Sequence, residues 1–317
     1  MELPVEFKNV TEGLTEHIPL KKLVAASNAI SERYRNESGT GKSLITNETE
    51  AAAYAVVRMP ATIGAVMSAM NYASAHFDSE ITTMLDIGAG TGACCWAGTE
   101  IFPEIEKITC LEREKPMLDF GKRLMTEGDF PAECEWIIHD ITKPFEHKAD
   151  LVTASYVMNE LTAEKRAYLT ERLWSATEKL LIIIEPGTPA GFENIRAIRS
   201  SLVDMGAKII APCPHCGTCP TPENDWCHFT ARVSRTKLHK QLKGGDVPYE
   251  DEKFCYIAAS REDYGHCGAR VLRHPKIESG KITLKICTAD GISEKMVTKK
   301  DGALFKKARK AASGDEI

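Results

Sequence analysis

The chain has 317 residues, which is enough for one enlarged domain or two modest ones. Its 43% hydrophobic and 27% charged residues exclude wholesale disorder, and no apolar run approaches the roughly 20 residues that cross a bilayer. The net charge of −5 excludes a basic coat over the whole surface, although residues 191–317 carry 22 Lys and Arg against 16 Asp and Glu. Residues 1–4 resemble no targeting segment, and we expect a cytoplasmic protein without membrane contact.

The first 77 residues are predicted to be helical. Apolar residues recur at helical spacing from Leu20 to Ile30. Asn47 can cap an Ala-rich helix that runs through Val57, and Pro60 fits the first turn of the next helix. We therefore predict an N-terminal helical region over residues 1–77.

From Ile81 onward, strand-sized apolar segments alternate with helical ones, which is typical of a doubly wound, Rossmann-like α/β sheet. The predicted strands are Thr82–Ile87, Lys107–Glu112, Glu135–Asp140, Ala149–Ser155, Lys179–Glu185, Ala207–Ile210 and Phe254–Ala259. We predict this domain over residues 78–262, with a Cys-rich insertion at about 211–250. Residues 263–317 are predicted to form a small C-terminal extension with two strands, Lys281–Cys287 and Lys295–Thr298, and a basic helix, Lys306–Lys310.

A glycine-rich turn joins the first predicted strand to its helix, in the sequence Asp86-Ile87-Gly88-Ala89-Gly90-Thr91-Gly92. The glycines let the backbone turn tightly and approach a ligand. The acid before them would repel a pyrophosphate but suits a cationic ligand such as S-adenosylmethionine. Glu112 and Asp140 end the next two strands, where they can contact ribose hydroxyls and the adenine amino group.

Three acids at the carboxyl ends of successive strands mark the binding crevice of an open α/β sheet. We therefore predict the class I S-adenosylmethionine-dependent methyltransferase fold. The predicted cofactor-binding residues are Asp86, Gly88, Ala89, Gly90, Gly92, Glu112 and Asp140. Enzymes that methylate base amines present an Asp/Asn-Pro-Pro-aromatic turn after the fourth strand, and this chain has no such turn. Asn159 and Glu160, which follow that strand, either contact a substrate or cap the next helix, and no catalytic residue is identified.

Four of the eleven cysteines lie close together in the insertion, at Cys213, Cys216, Cys219 and Cys227. Close thiols in a chain bent by Pro and Gly are typical of a soft-metal site. Zinc, with His215 or His228 as a ligand, and an iron–sulfur cluster both fit this spacing. Three cysteines outside this cluster can each supply a further ligand: Cys255, Cys267 and Cys287. Cys255 lies in a predicted core strand, so we expect it to be a buried packing residue instead.

Basic side chains follow the Cys-rich segment and recur near the end of the chain. They are Arg232, Arg235, Lys237, His239, Lys240 and Lys243, and then Lys306, Lys307, Arg309 and Lys310. Such groups bind nucleic-acid phosphates in a salt-dependent and largely sequence-independent way. We therefore predict contact with RNA.

Short motifs along the whole chain allow comparison with known families. In the helical region they are Arg33-Tyr34-Arg35, Ala53-Tyr54-Ala55 and Arg58-Met59-Pro60-Ala61-Thr62. The most specific are Ala211-Pro212-Cys213-Pro214-His215, Cys219-Pro220, Trp226-Cys227-His228-Phe229, Tyr249-Glu250-Asp251-Glu252-Lys253-Phe254 and Cys287-Thr288. With these motifs the chain resembles the methyltransferase-like small-ribosomal-subunit assembly family of bacteria and mitochondria.

The resemblance implies a [4Fe–4S] cluster on Cys213, Cys219, Cys227 and Cys287, and a role in maturing the small ribosomal subunit through its rRNA. Cys216 departs from the family pattern and can compete as a ligand. We expect either an rRNA methyltransferase or a non-catalytic rRNA-binding assembly factor. A zinc-binding methyltransferase of another substrate is the alternative, and no stable protein partner is indicated.

Overall fold

The computed structural model describes residues 1–37 and 42–317. These residues form ten α-helices: α1 (Val5–Thr15), α2 (Leu20–Glu37), α3 (Glu48–Val57), α4 (Met59–Ser74), α5 (Ala93–Ile101), α6 (Lys115–Glu127), α7 (Ala163–Ala176), α8 (Pro189–Asp204), α9 (Lys237–Lys243) and α10 (Ala303–Lys310). They also form twelve strands: β1 (Thr83–Ile87), β2 (Lys107–Glu112), β3 (Glu133–Ile138), β4 (Ala149–Ser155), β5 (Thr177–Pro186), β6 (Lys208–Ala211), β7 (Phe229–Ser234), β8 (Tyr249–Ser260), β9 (Arg270–Val271), β10 (Lys276–Glu278), β11 (Lys281–Thr288) and β12 (Gly291–Thr298).

The N-terminal helices form where capping residues and buried alanines predict them. The Asn47 side chain accepts a hydrogen bond from the Glu50 amide at 3.0 Å and starts α3, and Pro60 lies in the first turn of α4. Most residues of both helices are buried. No single helix in the described part of the chain is long and apolar enough to span a membrane, although α3 and α4 together, across a bend of 51°, reach that length and composition.

The main sheet has the strand order β3-β2-β1-β4-β5-β8-β6. Strands β1 to β5 pair in parallel, and β8 is antiparallel to both β5 and β6. If β7 is left out as part of the insertion, the order is third, second, first, fourth, fifth, seventh and sixth, with the seventh strand antiparallel. This is the class I S-adenosylmethionine-dependent methyltransferase fold, as the sequence predicted.

Both faces of the main sheet are covered, which explains why the fifth strand is a continuous apolar run. Residues Leu180–Ile184 are fully buried. Their side chains alternate between a core shared with α4 and α5 and a second core shared with α7 and α8. The carboxyl ends of β1 to β5 consequently meet at one edge of the sheet, where the loops are free to form a site.

The Cys-rich insertion lies between β6 and β8, as predicted, and contains one strand and one helix that the sequence analysis missed. Strand β7 alternates buried residues, Phe229, Ala231 and Val233, with outward-facing ones, and it pairs with the first half of β8. This pairing extends β8 back to Tyr249, five residues before the predicted start. Helix α9 follows, capped by the Thr236 side chain.

The C-terminal residues form a second, antiparallel sheet of β9 to β12, covered by α10. The two predicted strands and the basic helix are present, with longer bounds. Arg270 joins this sheet to the main body: its guanidinium donates to the carbonyl oxygens of Pro212 and Gly314, both at 2.8 Å, and pairs with Glu316 at 3.1 Å. Cys287 on β11 is thereby held beside the insertion.

Candidate functional site

A cleft of about 190 Å³ lies at the carboxyl edge of the main sheet. Its floor is formed by the segments that follow β1 to β5, and its roof by side chains of the N-terminal helices. The cofactor-site residues that the sequence predicted and that line the cleft are Gly88, Gly90, Glu112 and Asp140.

The glycine turn adopts a backbone that favours glycine at three positions. Gly88, Gly90 and Gly92 have φ values of 68°, 59° and 90°. A Cβ on Gly88 would also lie 2.9 Å from Val157 Cγ2. The Gly90 amide donates to Glu112 Oε2 at 2.8 Å, which ties the turn to the end of β2. The turn therefore presents its backbone, without side chains, to the cleft.

The two acids that line the cleft differ in their surroundings. Burial raises the pKa of Glu112 to about 7, although backbone hydrogen bonds from Glu114, Gly90 and Arg113 favour the charged carboxylate. A carboxylate has about four lone pairs, so acceptor capacity is left for a ribose hydroxyl. Asp140 is largely exposed. The little burial it has acts to raise its pKa, but hydrogen bonds from the Thr142 amide and hydroxyl outweigh that effect and lower the pKa.

The other predicted cofactor residues do not line the cleft. Asp86 is 1% exposed and lies beneath the turn, where its Oδ1 accepts a hydrogen bond from the Thr153 hydroxyl at 2.7 Å. Burial raises the pKa of Asp86 to about 6. Ala89 is buried, and Gly92 begins α5 against Met125 and Trp136. These three residues therefore support the conformation of the glycine turn and do not face the ligand space.

The roof of the cleft contains residues that the sequence analysis did not assign to a site. Tyr34 from α2 and Tyr54 from α3 stack with their ring centroids 6.5 Å apart, and Arg58 lies between α3 and α4. Tyr156, directly after β4, has a φ of 58°, and its hydroxyl donates to Glu252 at 2.9 Å. All but Glu252 line the cleft. Tyr34, Tyr54 and Arg58 belong to the N-terminal motifs that the chain shares with the family. Those motifs were the sequence signal that could have identified them as site residues.

The structure contradicts the capping interpretation of the segment after β4, and substrate contact by Asn159 and Glu160 stays a prediction. Thr162 caps α7 by accepting a hydrogen bond from the Lys165 amide. Asn159 and Glu160 lie before the cap and line the cleft instead. They are therefore placed where a substrate can reach them.

A second cavity, of about 40 Å³, lies between the insertion, α8 and the C-terminal sheet. It brings together thiols from positions as far apart as 213 and 287, and the cysteines that line it are Cys213, Cys219, Cys227, Cys255 and Cys287. Cys216 does not line the cavity: its sulfur accepts a hydrogen bond from the Ile209 amide. Cys255 lies within β8, and its thiol donates to the Pro186 carbonyl at 3.2 Å.

Two buried guanidinium groups border the cysteine cavity. Arg199 is 5% exposed, and its Nε donates to Cys213 Sγ at 3.4 Å. Arg270, which is 1% exposed, lines the other side. Cations in these positions would offset the negative charge of thiolates, which a buried site otherwise disfavours. The sequence analysis identified neither arginine.

Two of the lining thiols, Cys227 and Cys287, are protonated at neutral pH. Burial, followed by the neighbouring thiols, raises the pKa of Cys227 well above its usual value and that of Cys287 to about 12. A bound metal would have to displace these protons. Within residues 1–37 and 42–317, no three His, Cys, Asp or Glu side chains are arranged to hold a single metal ion. His215 Nε2 lies 3.9 Å from Cys287 Sγ, and His228 stacks on Trp226.

The two predicted basic groups differ in their pairing. Glu250 contacts Arg235, His239 and Lys243, while Arg232 forms a two-pronged ion pair with Asp251. In contrast, the four basic side chains of α10 are exposed and form no ion pair within the described residues. Exposed Lys237 and half-buried Lys240 of the first group also form no ion pair within the described residues, so both groups keep charge available to an external anion, with more of it on α10.

The combination of this fold with thiols drawn from the insertion and from β11 narrows the possible families. The family model described as mitochondrial small ribosomal subunit Rsm22 matches residues 48–317. The chain belongs to the Rsm22 family. The match begins at α3 and includes the glycine turn, the insertion and the C-terminal sheet.

Two curated relatives of this Rsm22-family chain are named as mitochondrial proteins. The human mitochondrial ribosome assembly protein METTL17 is 24% identical over an alignment of 253 residues, and the match covers 74% of this chain and 54% of that protein. The Rsm22-cox11 tandem protein 2 of Schizosaccharomyces pombe is 23% identical over an alignment of 308 residues, and the match covers 80% of this chain and 41% of that protein. The chain thus spans about half the length of the curated relatives it matches. The cytoplasmic location stays a prediction.

Among solved structures, the chain is similar to the magnesium protoporphyrin IX methyltransferase ChlM from Synechocystis with bound S-adenosylmethionine. The identity is 13% and the TM-score 0.43, and the match covers 75% of this chain and 97% of that one.

Proposed function

We propose that the protein binds S-adenosylmethionine in the cleft and a [4Fe–4S] cluster in the cysteine cavity, and that it acts in assembly of the small ribosomal subunit. The observation that carries the proposal is the convergence of Cys213, Cys219, Cys227 and Cys287 on one cavity while Cys216 lies outside it. Membership of the Rsm22 family supports the site of action.

The residues of the cleft fit the proposed cofactor. Glu112 has lone pairs free for ribose hydroxyls, Asp140 is exposed beside it, and Gly88 and Gly90 offer backbone without a side chain in the way. S-Adenosylmethionine supplies an electrophilic methyl group when bound. Calorimetric titration with S-adenosylhomocysteine tests this part of the proposal: we expect one site per chain, and an absence of heat and of thermal stabilisation would contradict it.

The donor set of the cavity fits an iron–sulfur cluster. Five cysteines line one space. The Cys255 thiol donates to the Pro186 carbonyl, which leaves Cys213, Cys219, Cys227 and Cys287 as the proposed ligands, and Arg199 and Arg270 supply compensating charge. Anaerobic purification followed by absorbance, iron and sulfide analysis provides the test. Iron and labile sulfide in equal amounts support the cluster, whereas stoichiometric zinc without sulfide would favour the zinc-binding alternative.

Contact with small-subunit rRNA is proposed for α10. Its four exposed basic side chains, Lys306, Lys307, Arg309 and Lys310, are not neutralised by neighbouring acids in the described structure. Replacing all four by Gln should reduce the slope of log K against log salt by about 3 for single-stranded RNA. The same change at Arg232 and Arg235, which are already paired with acids, serves as the control and should alter the slope less.

Two activities at the small subunit remain to be separated, namely rRNA methylation and non-catalytic assembly. Asn159 and Glu160 in the cleft favour the first, whereas the lack of an amine-holding Pro-Pro turn after β4 favours the second. Comparing rRNA modifications with and without the protein decides between them. A single missing methyl group, restored by the wild type but not by Asp86→Ala, would establish the enzyme.

A further inference from the structure

Arg58 is an unusual residue of the cleft because its charge has no close partner. Its side chain is exposed to the cleft, and within the described residues no carboxylate lies at ion-pairing distance from its guanidinium. The other arginine of the cleft, Arg113, lies 3.9 Å from both Glu114 and Glu160. An arginine that lines a cavity without a carboxylate partner is free to bind an anion that enters it.

Three phenols surround the same part of the cleft. Tyr34, Tyr54 and Tyr156 are the side chains that act most strongly on Arg58, together with Glu252. Burial raises the pKa of Tyr54 to about 12 and that of Tyr34 well above its usual value, so both are protonated donors at neutral pH. The Tyr156 hydroxyl already donates to Glu252. Arg58 therefore lies among donors, which suits a ligand made of acceptor oxygens.

The order of the strands places this cationic part of the cleft away from the acidic part. Asp140 and Glu112 follow β3 and β2, the glycine turn follows β1, and Tyr156 follows β4. Glu252, which interacts with Arg58, lies on β8, further along the same sheet. Glu112 and Asp140 thus lie on the β2 and β3 side of the glycine turn, and Arg58, which has no ion pair among the described residues, lies with Tyr156 on the β4 side. Arg113 and Glu160, which also line the cleft, lie 3.9 Å from each other.

We propose that Arg58, assisted by the Tyr54 hydroxyl, binds the methionine carboxylate of S-adenosylmethionine. This inference rests on the proposed cofactor, whose ribose would lie at Glu112. The ligand has ribose hydroxyls at one end and a carboxylate at the other, which suits Glu112 on one side of the glycine turn and Arg58 on the other. The planar guanidinium can donate two parallel hydrogen bonds to a carboxylate, whereas lysine cannot. Arg58 is accordingly a specificity-determining residue and not a catalytic one.

The test compares two ligands that differ only in the carboxylate, S-adenosylmethionine and decarboxylated S-adenosylmethionine. Calorimetric titrations are made with the wild type, Arg58→Gln and Arg58→Lys. We expect Arg58→Gln to weaken S-adenosylmethionine about 10- to 100-fold and the decarboxylated ligand less than about threefold, since a hydrogen bond to a charged group is lost only with the first. Arg58→Lys should give an intermediate loss. Arg123→Gln is the matched control: it removes an exposed arginine outside the cleft, paired with Glu48 and Glu127, and should change neither affinity.

Other outcomes overturn the inference. Equal weakening of both ligands by Arg58→Gln would assign the residue a structural role, and unchanged affinity for both would leave it no role in binding; in either case the cofactor proposal survives. A wild type that binds neither ligand would overturn the cofactor proposal and the inference together. If Arg58→Gln instead weakens a short single-stranded RNA and leaves the discrimination between the two ligands intact, the anion is an RNA phosphate.

Discussion

The cleft and the cysteine cavity are built in different ways, although both lie against the main sheet. The floor of the cleft comes from the ends of successive parallel strands, which the fold brings together at one edge. The cysteine cavity draws its thiols from the insertion, from β8 and from β11, and its proposed ligands Cys227 and Cys287 are 60 residues apart. The first site is therefore a property of the fold itself, and the second depends on how the C-terminal sheet is attached.

The two sites also hold charge differently. The acids of the cleft are stabilised by backbone amides, as at Glu112, and one end is cationic through Arg58. In the cavity, burial keeps the Cys227 and Cys287 thiols neutral, a bound metal would displace their protons, and Arg199 and Arg270 are already in place. We therefore expect loss of a cavity residue to affect folding more than loss of a cleft residue.

The largest effect is expected for Cys227→Ser. Iron content should fall from about four atoms per chain to below one, and the thermal midpoint should fall by about 5 °C or more, because metal-binding free energy is also folding free energy. Iron analysis and thermal unfolding under anaerobic conditions measure both. Cys216→Ser, outside the cavity, should keep its iron; if it loses iron while Cys227→Ser does not, the choice of ligands is wrong.

Arg270→Met tests the attachment of the C-terminal sheet. Removing this buried side chain leaves the Pro212 and Gly314 carbonyls without their donor and Glu316 with only its contact to His76, and should lower the free energy of unfolding by about 3–5 kcal/mol. Urea unfolding monitors the loss. Arg123→Met breaks an exposed pair instead and should cost about 1 kcal/mol or less. Equal effects of the two substitutions would mean that Arg270 does not join the two parts.

Asp86→Asn tests the buried acid beneath the glycine turn. Because burial raises the pKa of Asp86 to about 6, its contribution favours folding below about pH 4 and is lost as the pH rises through 6. The Asn side chain does not ionise, so the variant lacks this loss of stability. Its free energy of unfolding, relative to that of wild type, should therefore rise by about 3 kcal/mol between pH 4 and pH 8. Urea unfolding across this range measures the gain, and parallel stability curves would show that Asp86 titrates normally.

Gly88→Ala should have the smallest effect on stability. The backbone of Gly88 favours glycine, and a Cβ would press on Val157, which together should cost about 1–2 kcal/mol. Affinity for S-adenosylhomocysteine should also fall. Gly206→Ala, at a φ of 86° with no atom within 4 Å of the new Cβ, separates backbone strain from contact and should leave the affinity unchanged. A Gly88→Ala variant that matches Gly206→Ala in both measurements would show that the turn tolerates a side chain.

Local patterns in the sequence were sufficient to predict the fold and the floor of the cleft. The apolar run Leu180–Ile184 and the glycine turn are each a single continuous stretch of sequence. The parallel sheet then brings the strand ends at Glu112 and Asp140 beside that turn. Asp86 shows the limit of this argument, because an acid at a strand end can lie under the turn as well as in the cleft. Strand β7 was missed because its alternating residues follow directly on the Cys-rich segment.

Long-range placement could not be predicted from such patterns. Tyr34 and Arg58 reach the cleft only because the N-terminal helices fold over the sheet, and Arg270 reaches the cysteine cavity only through the position of β9. The resemblance to a family supplied the grouping of Cys287 with the other three cysteines, which composition and spacing left open. That these four bind a cluster stays a prediction, as do the domain boundaries at residues 77 and 262.

The position of Cys287, 60 residues after Cys227, has a consequence for the order of biosynthesis. The glycine turn and its strands leave the ribosome first, so the floor of the cleft can form on the nascent chain before β11 is translated. The cysteine cavity is complete only when β11 has emerged. Until then the insertion exposes three thiols without their fourth neighbour, so the cavity closes after the sheet edge that forms the cleft.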